Sequence, residues 1–331
     1  MNEEWMEFYR GKRVLVTGGT GSIGSRLVER LLENGARVHV LSRDENLQHL
    51  LWHRVLAKFN AIGQMPKLRL RIGDVRNRQT IGEAAMGMEV VFHTAAMKHV
   101  DLCEGNPWEA VQTNILGAQN VREACLDAGV GVVVVVSTDK AADPAGVMGE
   151  TKHLQERLFL ASEMLATRAV VTRFGNVLGS TGSVVWKFKD DIEKGRYLHV
   201  TDPEMLRFVM TPQQATELVL WTGARVPHKT IVTRQMASVS VDTLIRAIAD
   251  GKDFQFIASG PRPGEKREEV LFSESELGRV TLEEVEIGKV ALLDGESDPH
   301  PPVDLSAFEI HQQLVGPERL REMLVQAGVL P

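Results

Sequence analysis

Four polar residues, 137–140 (Ser-Thr-Asp-Lys), follow directly after a run of five valines in this sequence. A carboxyl and an amine at the end of one strand divide the roles of acid and base when the site shifts their pKa values. Met148 and Lys152 come shortly afterwards, and because they are four residues apart, a helix places them on one face. A thioether neither releases nor takes up a proton in the ordinary pH range. The pattern therefore predicts that Asp139 and Lys140 carry the proton transfers, rather than forming a solvated pair in a turn.

A glycine-rich turn lies near the start of the chain. Its glycines have the spacing GxxGxxG, and they follow a β-branched run (Arg13–Thr17) and precede a segment of helical periodicity. Such glycines permit a tight turn and close backbone approach, and the helix N-terminus offers free N–H groups to a pyrophosphate. A purely structural glycine loop is the alternative, but the position in a βαβ unit favours a dinucleotide site. The residues predicted to contact the dinucleotide here are Gly18, Thr20, Gly21, Ser22, Ile23 and Gly24.

The end of the second predicted strand indicates which dinucleotide binds. A hydroxyl and a cation suit the 2′-phosphate of NADP, whereas an acid suits the free ribose hydroxyl of NAD. Ser42 and Arg43 supply the first pair, so the sequence favours NADP. The alternative is NAD, with Asp44 on the ribose and Arg43 solvated at the start of a helix. Further cofactor contacts are predicted after the third and fourth strands, at Asp74, Val75, Ala95 and Ala96.

These residues lie at the ends of strands that alternate with helices. The pattern predicts strands at residues 13–17, 37–41, 68–72, 90–93, 132–136 and 169–174, and helices at 22–34, 45–59, 107–128 and 151–166. This alternation is typical of an α/β protein with a doubly wound parallel sheet, the Rossmann fold, which binds ligands beyond the carboxyl ends of its strands. The valine run indicates a central strand, and the alternating residues 68–72 indicate an edge. We expect an NADP-binding domain over residues 10–176, with returning segments later in the chain, and a smaller, mainly substrate-binding lobe over 177–331.

The overall composition excludes several classes of protein. The 331 residues carry a net charge of -6 with a pI of about 6.0, so no basic surplus points to nucleic acid. The most apolar stretch, residues 130–136, is far shorter than the roughly 20 residues of a membrane span, and the charged N-terminus is unlike a signal peptide. Cys103 and Cys125 lack metal-ligand spacing. We therefore expect a cytoplasmic protein with free thiols, no metal site and no membrane contact.

Several segments resemble one family. Residues 92–100 (FHTAAMKHV), 137–142 (STDKAA), 173–177 (RFGNV) and 262–266 (RPGEK) are similar to the nucleotide-sugar 4,6-dehydratases of bacterial polysaccharide biosynthesis. These are extended short-chain dehydrogenases that act on UDP-N-acetylglucosamine. The resemblance covers most of the chain, from about residue 10 to 275. Short-chain dehydrogenases carry Tyr-x-x-x-Lys beside a Ser or Thr, and Met148 occupies the Tyr position here.

The resemblance implies an internal redox cycle. NADP accepts a hydride from C4 of the sugar, water is eliminated across C5 and C6, and the hydride returns to C6, which gives a UDP-4-keto-6-deoxy sugar. By this similarity Lys140 removes the C5 proton and Asp139 protonates the leaving C6 hydroxyl. Thr138 orients the C4 hydroxyl, and Lys152 holds the nicotinamide ribose. Further implied cofactor contacts are Lys98, Asn114 and Ser137. The residues implied to contact the UDP-sugar are Lys98, Asn176, Arg207, Arg262 and Glu265.

Two departures from the family pattern leave alternatives open. Met148 resembles the branch that retains the configuration at C5, so we expect retention, and Glu150 stands where a small residue is usual. The second hypothesis is a nucleotide-sugar 4-epimerase, which needs no acid–base pair for elimination and normally keeps the Tyr. The third is a non-catalytic NADP-binding regulator, against which the intact Asp139, Lys140 and Lys152 argue. A GDP-sugar or another UDP-sugar is an open alternative for the substrate. The family also implies a homo-oligomer, either a dimer or a hexamer.

Overall fold

The computed structural model describes residues 3–161, 166–295, 298–299 and 301–331. Its strands are β1 (Arg13–Thr17), β2 (Arg37–Ser42), β3 (Leu68–Ile72), β4 (Val90–His93), β5 (Val132–Thr138), β6 (Arg168–Phe174), β7 (Asn176–Val177), β8 (Leu198–Val200), β9 (Leu206–Met210), β10 (Thr230–Arg234), β11 (Ala237–Ser240), β12 (Phe256–Ala258), β13 (Val280–Val285) and β14 (Gly288–Asp294). Its α-helices are α1 (Ser22–Glu33), α2 (Glu45–Asn60), α3 (Arg78–Ala85), α4 (Val100–Gly105), α5 (Pro107–Ala110), α6 (Gly117–Asp127), α7 (Val147–Leu160), α8 (Val184–Glu193), α9 (Pro212–Arg225), α10 (Val241–Ala249) and α11 (Pro317–Gln326).

A nine-stranded sheet, in the order β13-β14-β10-β6-β5-β4-β1-β2-β3, forms the centre of the fold. The strands from β10 to β3 run parallel, and the β14–β13 hairpin adds two antiparallel strands at one edge. Chain order reverses between β1 and β4, which is the switch point where such sheets bind ligands. The predicted Rossmann-like α/β fold is thereby confirmed. Smaller sheets join β11, β9 and β7, and β12 and β8.

The positions of two strands follow directly from their side chains. Four of the five valines of β5 are buried, which suits a strand covered by helices on both faces between β4 and β6. β3 lies at the sheet edge, where its arginines reach solvent and its alternation of leucine and arginine is accommodated. Both predicted placements are correct.

Two predicted helices differ from those observed. The helix predicted at 107–128 is divided into α5, a π-helical turn (Val111–Leu116) and α6, and α4 precedes it. The π turn contains Asn114, whose side chain bonds to the backbone of Met97 instead of facing solvent. The helix predicted at 151–166 begins earlier, at Val147, and ends at Leu160, and residues 162–165 lie outside the described part of the chain. The Glu104 carboxylate accepts a hydrogen bond from Val147 N at 2.7 Å, which supplies a cap that the local sequence lacks.

Two apolar clusters pack against the sheets. The larger one fills both faces of the nine-stranded sheet. The smaller one lies wholly within residues 178–330 and joins α8, α10 and α11 with β8 and β11. The later half of the chain also supplies β10, β13 and β14 to the large sheet. The division into two domains near residue 176 stays a prediction.

Candidate active site

A cleft of about 1340 Å³ runs along the carboxyl ends of the parallel strands and continues between the two apolar clusters. Pockets for one small ligand usually measure about 300–1,000 Å³, so this cleft has room for two ligands side by side. Most of the predicted site residues line it. The members of that set are Gly18, Thr20, Gly21, Ser22, Ile23, Gly24, Ser42, Arg43, Asp74, Val75, Ala95, Ala96, Lys98, Ser137, Thr138, Lys140, Met148, Lys152, Asn176, Arg207, Arg262 and Glu265.

The glycine turn joins β1 to α1 at one end of the cleft. Gly18 has a φ of +69°, and a Cβ there would lie 2.7 Å from Ala95 N. A Cβ on Gly24 would collide with the Gly18 carbonyl oxygen. Helix α1 begins after Gly21 without a side-chain cap, so its first N–H groups face the cleft free to bind an anion. These features fit a dinucleotide pyrophosphate on this turn.

The end of β2 presents one hydroxyl pair and one cation to the cleft. Thr20 Oγ1 and Ser42 Oγ are 2.8 Å apart, and the Arg43 side chain is 64% exposed with its guanidinium 3.7 Å from Asp74. The Asp44 carboxylate accepts a hydrogen bond from Leu47 N and thus caps α2. The carboxylate that would bind a ribose hydroxyl is therefore already engaged by the helix.

Asp74 belongs to a second ionic group at this end of the cleft. Burial on its own would raise the pKa of Asp74, but the hydrogen bonds and charge of Arg76 outweigh it and lower the pKa below its usual value. Arg76 in turn contacts Glu109 at 2.8 Å. The carboxylate stays ionised and fixed, which suits an acceptor for the amino group of an adenine ring.

The tip of β4 is held by a buried amide. Asn114 is fully buried and does not line the cleft. Its oxygen accepts from Met97 N at 2.8 Å, and its nitrogen donates to Met97 O and Thr151 Oγ1. Asn114 therefore positions the backbone beside Ala95 and Ala96, and the structure does not bring it among the groups that face a cofactor.

An ionic cluster occupies the tip of β5. Thr138 Oγ1 donates to Asp139 Oδ1 at 2.9 Å, and Lys140 Nζ donates to the same oxygen at 3.0 Å. Lys140 Nζ also lies 3.2 Å from Glu269 Oε1. Burial is the largest single influence on Lys140 and favours the neutral amine, yet Asp139 and Glu269 together raise the pKa of Lys140 above its usual value. Lys140 is thus held as an ammonium between two carboxylates.

Asp139 differs from its neighbours in exposure. Thr138 and Lys140 line the cleft, but Asp139 is fully buried behind them. Its Oδ2 makes no hydrogen bond within the described residues. A ligand in the cleft therefore reaches Asp139 through the Thr138 hydroxyl or the Lys140 amine.

Helix α7 places Met148 and Lys152 on the cleft wall. Met148 is buried among apolar side chains that include Val100 and Cys103. Lys152 Nζ donates to Val136 O at 2.6 Å and to Gln155 Oε1. Burial lowers the pKa of Lys152 to about 8, despite the opposing charge of Glu156.

Three cations also line the cleft. Lys98 Nζ donates to Thr181 O at 2.8 Å, and Arg207 Nη1 donates to Leu206 O at 2.8 Å. Arg262 lies 3.7 Å from Glu265. In each of the three cations the carbonyl or carboxylate partner uses only some of the N–H donors. The remaining donors are available to an anionic ligand.

The sequence reasoning missed Glu269, which contacts Lys140 and is 2% exposed. It lies three residues beyond the RPGEK segment, and its three-residue spacing from Lys266 was the available signal. The reasoning also missed the function of Arg173. This fully buried guanidinium bonds Glu156, Glu276 and the carbonyl of Leu271, and so anchors the segment that carries Glu269.

Within the described residues, no group of three or more His, Cys, Asp and Glu side chains is arranged to hold a metal ion. No helix there has the length and apolar character needed to cross a bilayer. Cys103 and Cys125 are buried and unpaired with each other.

A family model described as "Polysaccharide biosynthesis protein" matches residues 14–288. The chain belongs to this family. Among its curated relatives is the UDP-N-acetylglucosamine 4,6-dehydratase (inverting) of Campylobacter jejuni, 39% identical over 272 residues, which are 80% of this chain and 78% of the relative. A protein named UDP-glucose 4-epimerase from Rickettsia conorii is 38% identical over 281 residues, with 81% and 80% covered.

Among solved structures, Pen from Bacillus thuringiensis superposes with a TM-score of 0.86 at 32% identity, and the match covers 98% of this chain and 100% of that one. The family resemblance inferred from the motifs is thereby confirmed. The named relatives include both nucleotide-sugar dehydratases and epimerases.

Proposed function

We propose that this protein is an NADP-dependent nucleotide-sugar 4,6-dehydratase that converts UDP-N-acetylglucosamine, or a close analogue, to a UDP-4-keto-6-deoxy sugar. One observation carries the proposal. Lys140 lies at the cleft wall within hydrogen-bonding distance of Asp139 and faces Glu269 on its other side. Elimination of water needs a base for a carbon acid and an acid for the leaving hydroxyl, and this cluster supplies both.

Two groups of residues would hold the two ligands. The glycine turn and the free N-terminus of α1 would bind the pyrophosphate of the dinucleotide, and Thr20, Ser42 and Arg43 would bind its 2′-phosphate. Lys98, Arg207 and Arg262 suit the diphosphate of the sugar nucleotide, because cations with several N–H donors bind phosphate oxygens well. When bound, the nicotinamide accepts a hydride from the sugar and returns it.

The acid–base chemistry follows from one proton transfer. Movement of a proton from Lys140 Nζ to Asp139 Oδ1, along their 3.0 Å hydrogen bond, gives a neutral amine and a carboxylic acid. The amine then takes the C5 proton, and Asp139 supplies a proton to the leaving C6 hydroxyl through the hydroxyl of Thr138. Water departs, which restores the original ion pair. Oxidation at C4 also releases the proton of the C4 hydroxyl, and solvent returns one proton to the Lys140 amine after C5 is reprotonated, so the cycle closes with no net proton. Lys152 is placed on the same wall to bond the ribose.

We propose that the configuration at C5 is retained. Inversion requires a second titratable group on the opposite face of the sugar, which supplies the returning proton. Met148 cannot do this because a thioether does not titrate, and it replaces the family's Tyr on this wall. The same lysine that removes the C5 proton would therefore return a proton to the same face.

The test is a product assay with UDP-N-acetylglucosamine, read by mass spectrometry and proton NMR. The expected product has lost one water and carries a methyl group at C5 in the retained configuration. In deuterium oxide, wild-type enzyme should exchange the C5 proton, and Lys140→Ala should abolish the exchange. Continued exchange in the variant would show that another group is the base.

A 4-epimerase is the second candidate, and the Rickettsia conorii relative named UDP-glucose 4-epimerase favours it. Its product would keep the mass of the substrate and change only the configuration at C4. A protein that binds NADP yet leaves a panel of nucleotide sugars unchanged would instead be a regulator.

A further inference from the structure

The two carboxylates that face Lys140 differ in their access to solvent. Asp139 is completely enclosed, and among the described residues its Oδ2 has no hydrogen-bond partner. Glu269 approaches Lys140 from the other side, at 3.2 Å, on a segment of the later half of the chain. Its second oxygen, Oε2, is turned away from Lys140 and makes no hydrogen bond within the described structure.

A line of ionisable groups leads from Glu269 to the surface. Glu269 Oε2 lies 3.7 Å from Lys266 Nζ, and Lys266 Nζ lies 3.0 Å from Asp143 Oδ2. The Asp143 side chain is 65% exposed. The line therefore begins at the Lys140 amine and ends in bulk solvent, and its first member, Glu269, also borders the large cleft.

A small cavity lies along this line. Its volume is about 10 Å³, and Lys140, Glu269 and Lys266 supply the polar part of its wall. This volume is close to what one water molecule needs when two or more polar groups surround it. A water in this cavity would bridge Glu269 Oε2 and Lys266 Nζ, whose 3.7 Å separation is too long for a direct hydrogen bond.

The position of Glu269 is fixed from behind. Arg173 donates to Leu271 O at 2.8 Å and to both Glu276 oxygens at 2.9 Å. The same guanidinium bonds Glu156 on α7. The segment that carries Glu269 is therefore tied to the helix that carries Lys152, and the line of groups is a fixed part of the site.

We propose that Glu269 and Lys266 form a proton path that connects Lys140 with solvent at Asp143 while a sugar fills the cleft. The proposal rests on the proposed function, in which Lys140 holds the proton taken from C5. The ammonium of Lys140 gives a proton to Glu269 Oε1. Glu269 Oε2 passes one through a water in the cavity to Lys266 Nζ as Lys266 gives one to Asp143 Oδ2, and a solvent proton returns by the reverse path. No charge accumulates, because each proton that leaves is replaced.

The path has a measurable consequence for the hydrogen at C5. While the sugar covers the cleft side of Lys140, the path is the route by which its nitrogen exchanges with solvent. With the path open, the product formed in deuterium oxide carries deuterium at C5. With the path closed, the nitrogen keeps the hydrogen taken from C5 beside two deuterons, and rotation of the ammonium returns that hydrogen in about one third of turnovers.

The experiment is a single turnover in deuterium oxide with enzyme in excess over UDP-N-acetylglucosamine, quenched and read by NMR at C5. Wild type should give product almost fully deuterated at this carbon. Glu269→Gln keeps the shape but cannot carry a proton, and it should leave about one third of the product with protium at C5. Glu268→Gln is the matched control, because Glu268 is the neighbouring exposed glutamate and pairs with His311. It should match wild type.

Lys266→Met provides an independent variant, since the proposed mechanism gives Lys266 no contact with the substrate and Lys266 approaches Glu269 only at Oε2. It should also raise the protium content at C5. Full deuteration at C5 of the product formed by Glu269→Gln would overturn the path. If Glu269→Gln does not turn over, full deuteration of the product formed by Lys266→Met would overturn it instead. Wild-type enzyme that releases product without loss of water would instead refute the proposed function on which the path depends.

Discussion

Replacement of Arg173 by Met tests how the fold supports the site. The guanidinium is fully buried between Glu156 and Glu276, both of which are also withdrawn from solvent. It makes two hydrogen bonds to each carboxylate, at 2.6–3.2 Å, and one to Leu271 O. Methionine keeps much of the apolar stem but leaves two carboxylates without a cation.

The expected loss is large because uncompensated charge is buried. Removing one partner of a buried ion pair costs about 3–5 kcal/mol, and here one substitution exposes two carboxylates to that penalty. The free energy of unfolding of Arg173→Met should therefore fall by at least this amount at pH 7. Neutralising the carboxylates in the triple variant Glu156→Gln, Arg173→Met, Glu276→Gln should recover most of the loss, since no buried charge then remains.

The pH dependence has a definite sign. Burial would raise the pKa of Glu276, but Arg173 lowers it below the usual value. A depressed carboxyl pKa stabilises the fold above the unfolded value, about 4.3, and this stabilisation is lost as pH falls through the folded value. In Arg173→Met the contribution of Arg173 is lost and only the hydrogen bonds of Ser273 oppose the effect of burial, so Glu276 protonates more readily on acidification. The difference in unfolding free energy between wild type and variant should therefore be greatest at pH 7 and smaller at pH 5.

Urea-induced unfolding, followed by circular dichroism at both pH values, measures these differences. A loss below about 1 kcal/mol at pH 7 would mean that the carboxylates find other partners or protonate without cost. If the difference in unfolding free energy between wild type and Arg173→Met grew on acidification, buried charge could not be the cause of the lost stability. Either result would refute the reasoning that Arg173 anchors the segment of Glu269.

Three further predictions concern the dinucleotide. Arg43→Ala should weaken NADP binding by about 1.5–3 kcal/mol and leave NAD binding unchanged, because only NADP offers a 2′-phosphate; an unchanged preference in binding titrations would contradict the assignment. NADP affinity should fall as pH rises through about 8, where Lys152 loses its charge, and this dependence should vanish in Lys152→Met. Gly24→Ala places a methyl group against the Gly18 carbonyl, so cofactor fluorescence titrations should detect little or no binding, and wild-type affinity would show that the turn adapts.

Much of the fold could be predicted from periodicity. The valines of β5 and the alternating side chains of β3 encode their own burial, so the central and edge positions follow from the residues themselves. The start of α7 could not be predicted in the same way. Its cap is the Glu104 carboxylate, which lies 43 residues earlier in the chain, and local sequence carries no sign of that bond.

In the candidate site, too, some residues could be predicted from local sequence and others depend on contacts between distant parts of the chain. The groups at strand ends, such as Lys140 and Ser42, could be identified because parallel strands bring their carboxyl ends to one edge. Glu269 could not, because its place beside Lys140 depends on how a segment more than a hundred residues later folds back and is anchored by Arg173. Asn114 was assigned to the cofactor from a motif, yet its hydrogen bonds go to the backbone of Met97.

The surroundings of Met148 connect the stereochemical proposal with the proton path. Met148 packs among apolar side chains, whereas Lys140 is joined to two carboxylates. Of these two side chains only the lysine transfers a proton, because a thioether does not titrate. A single lysine that both removes and returns the C5 proton gives retention of configuration at C5. Exchange of the lysine protons with solvent through Glu269 then decides which hydrogen isotope returns to C5, whereas the face that receives the isotope stays the same.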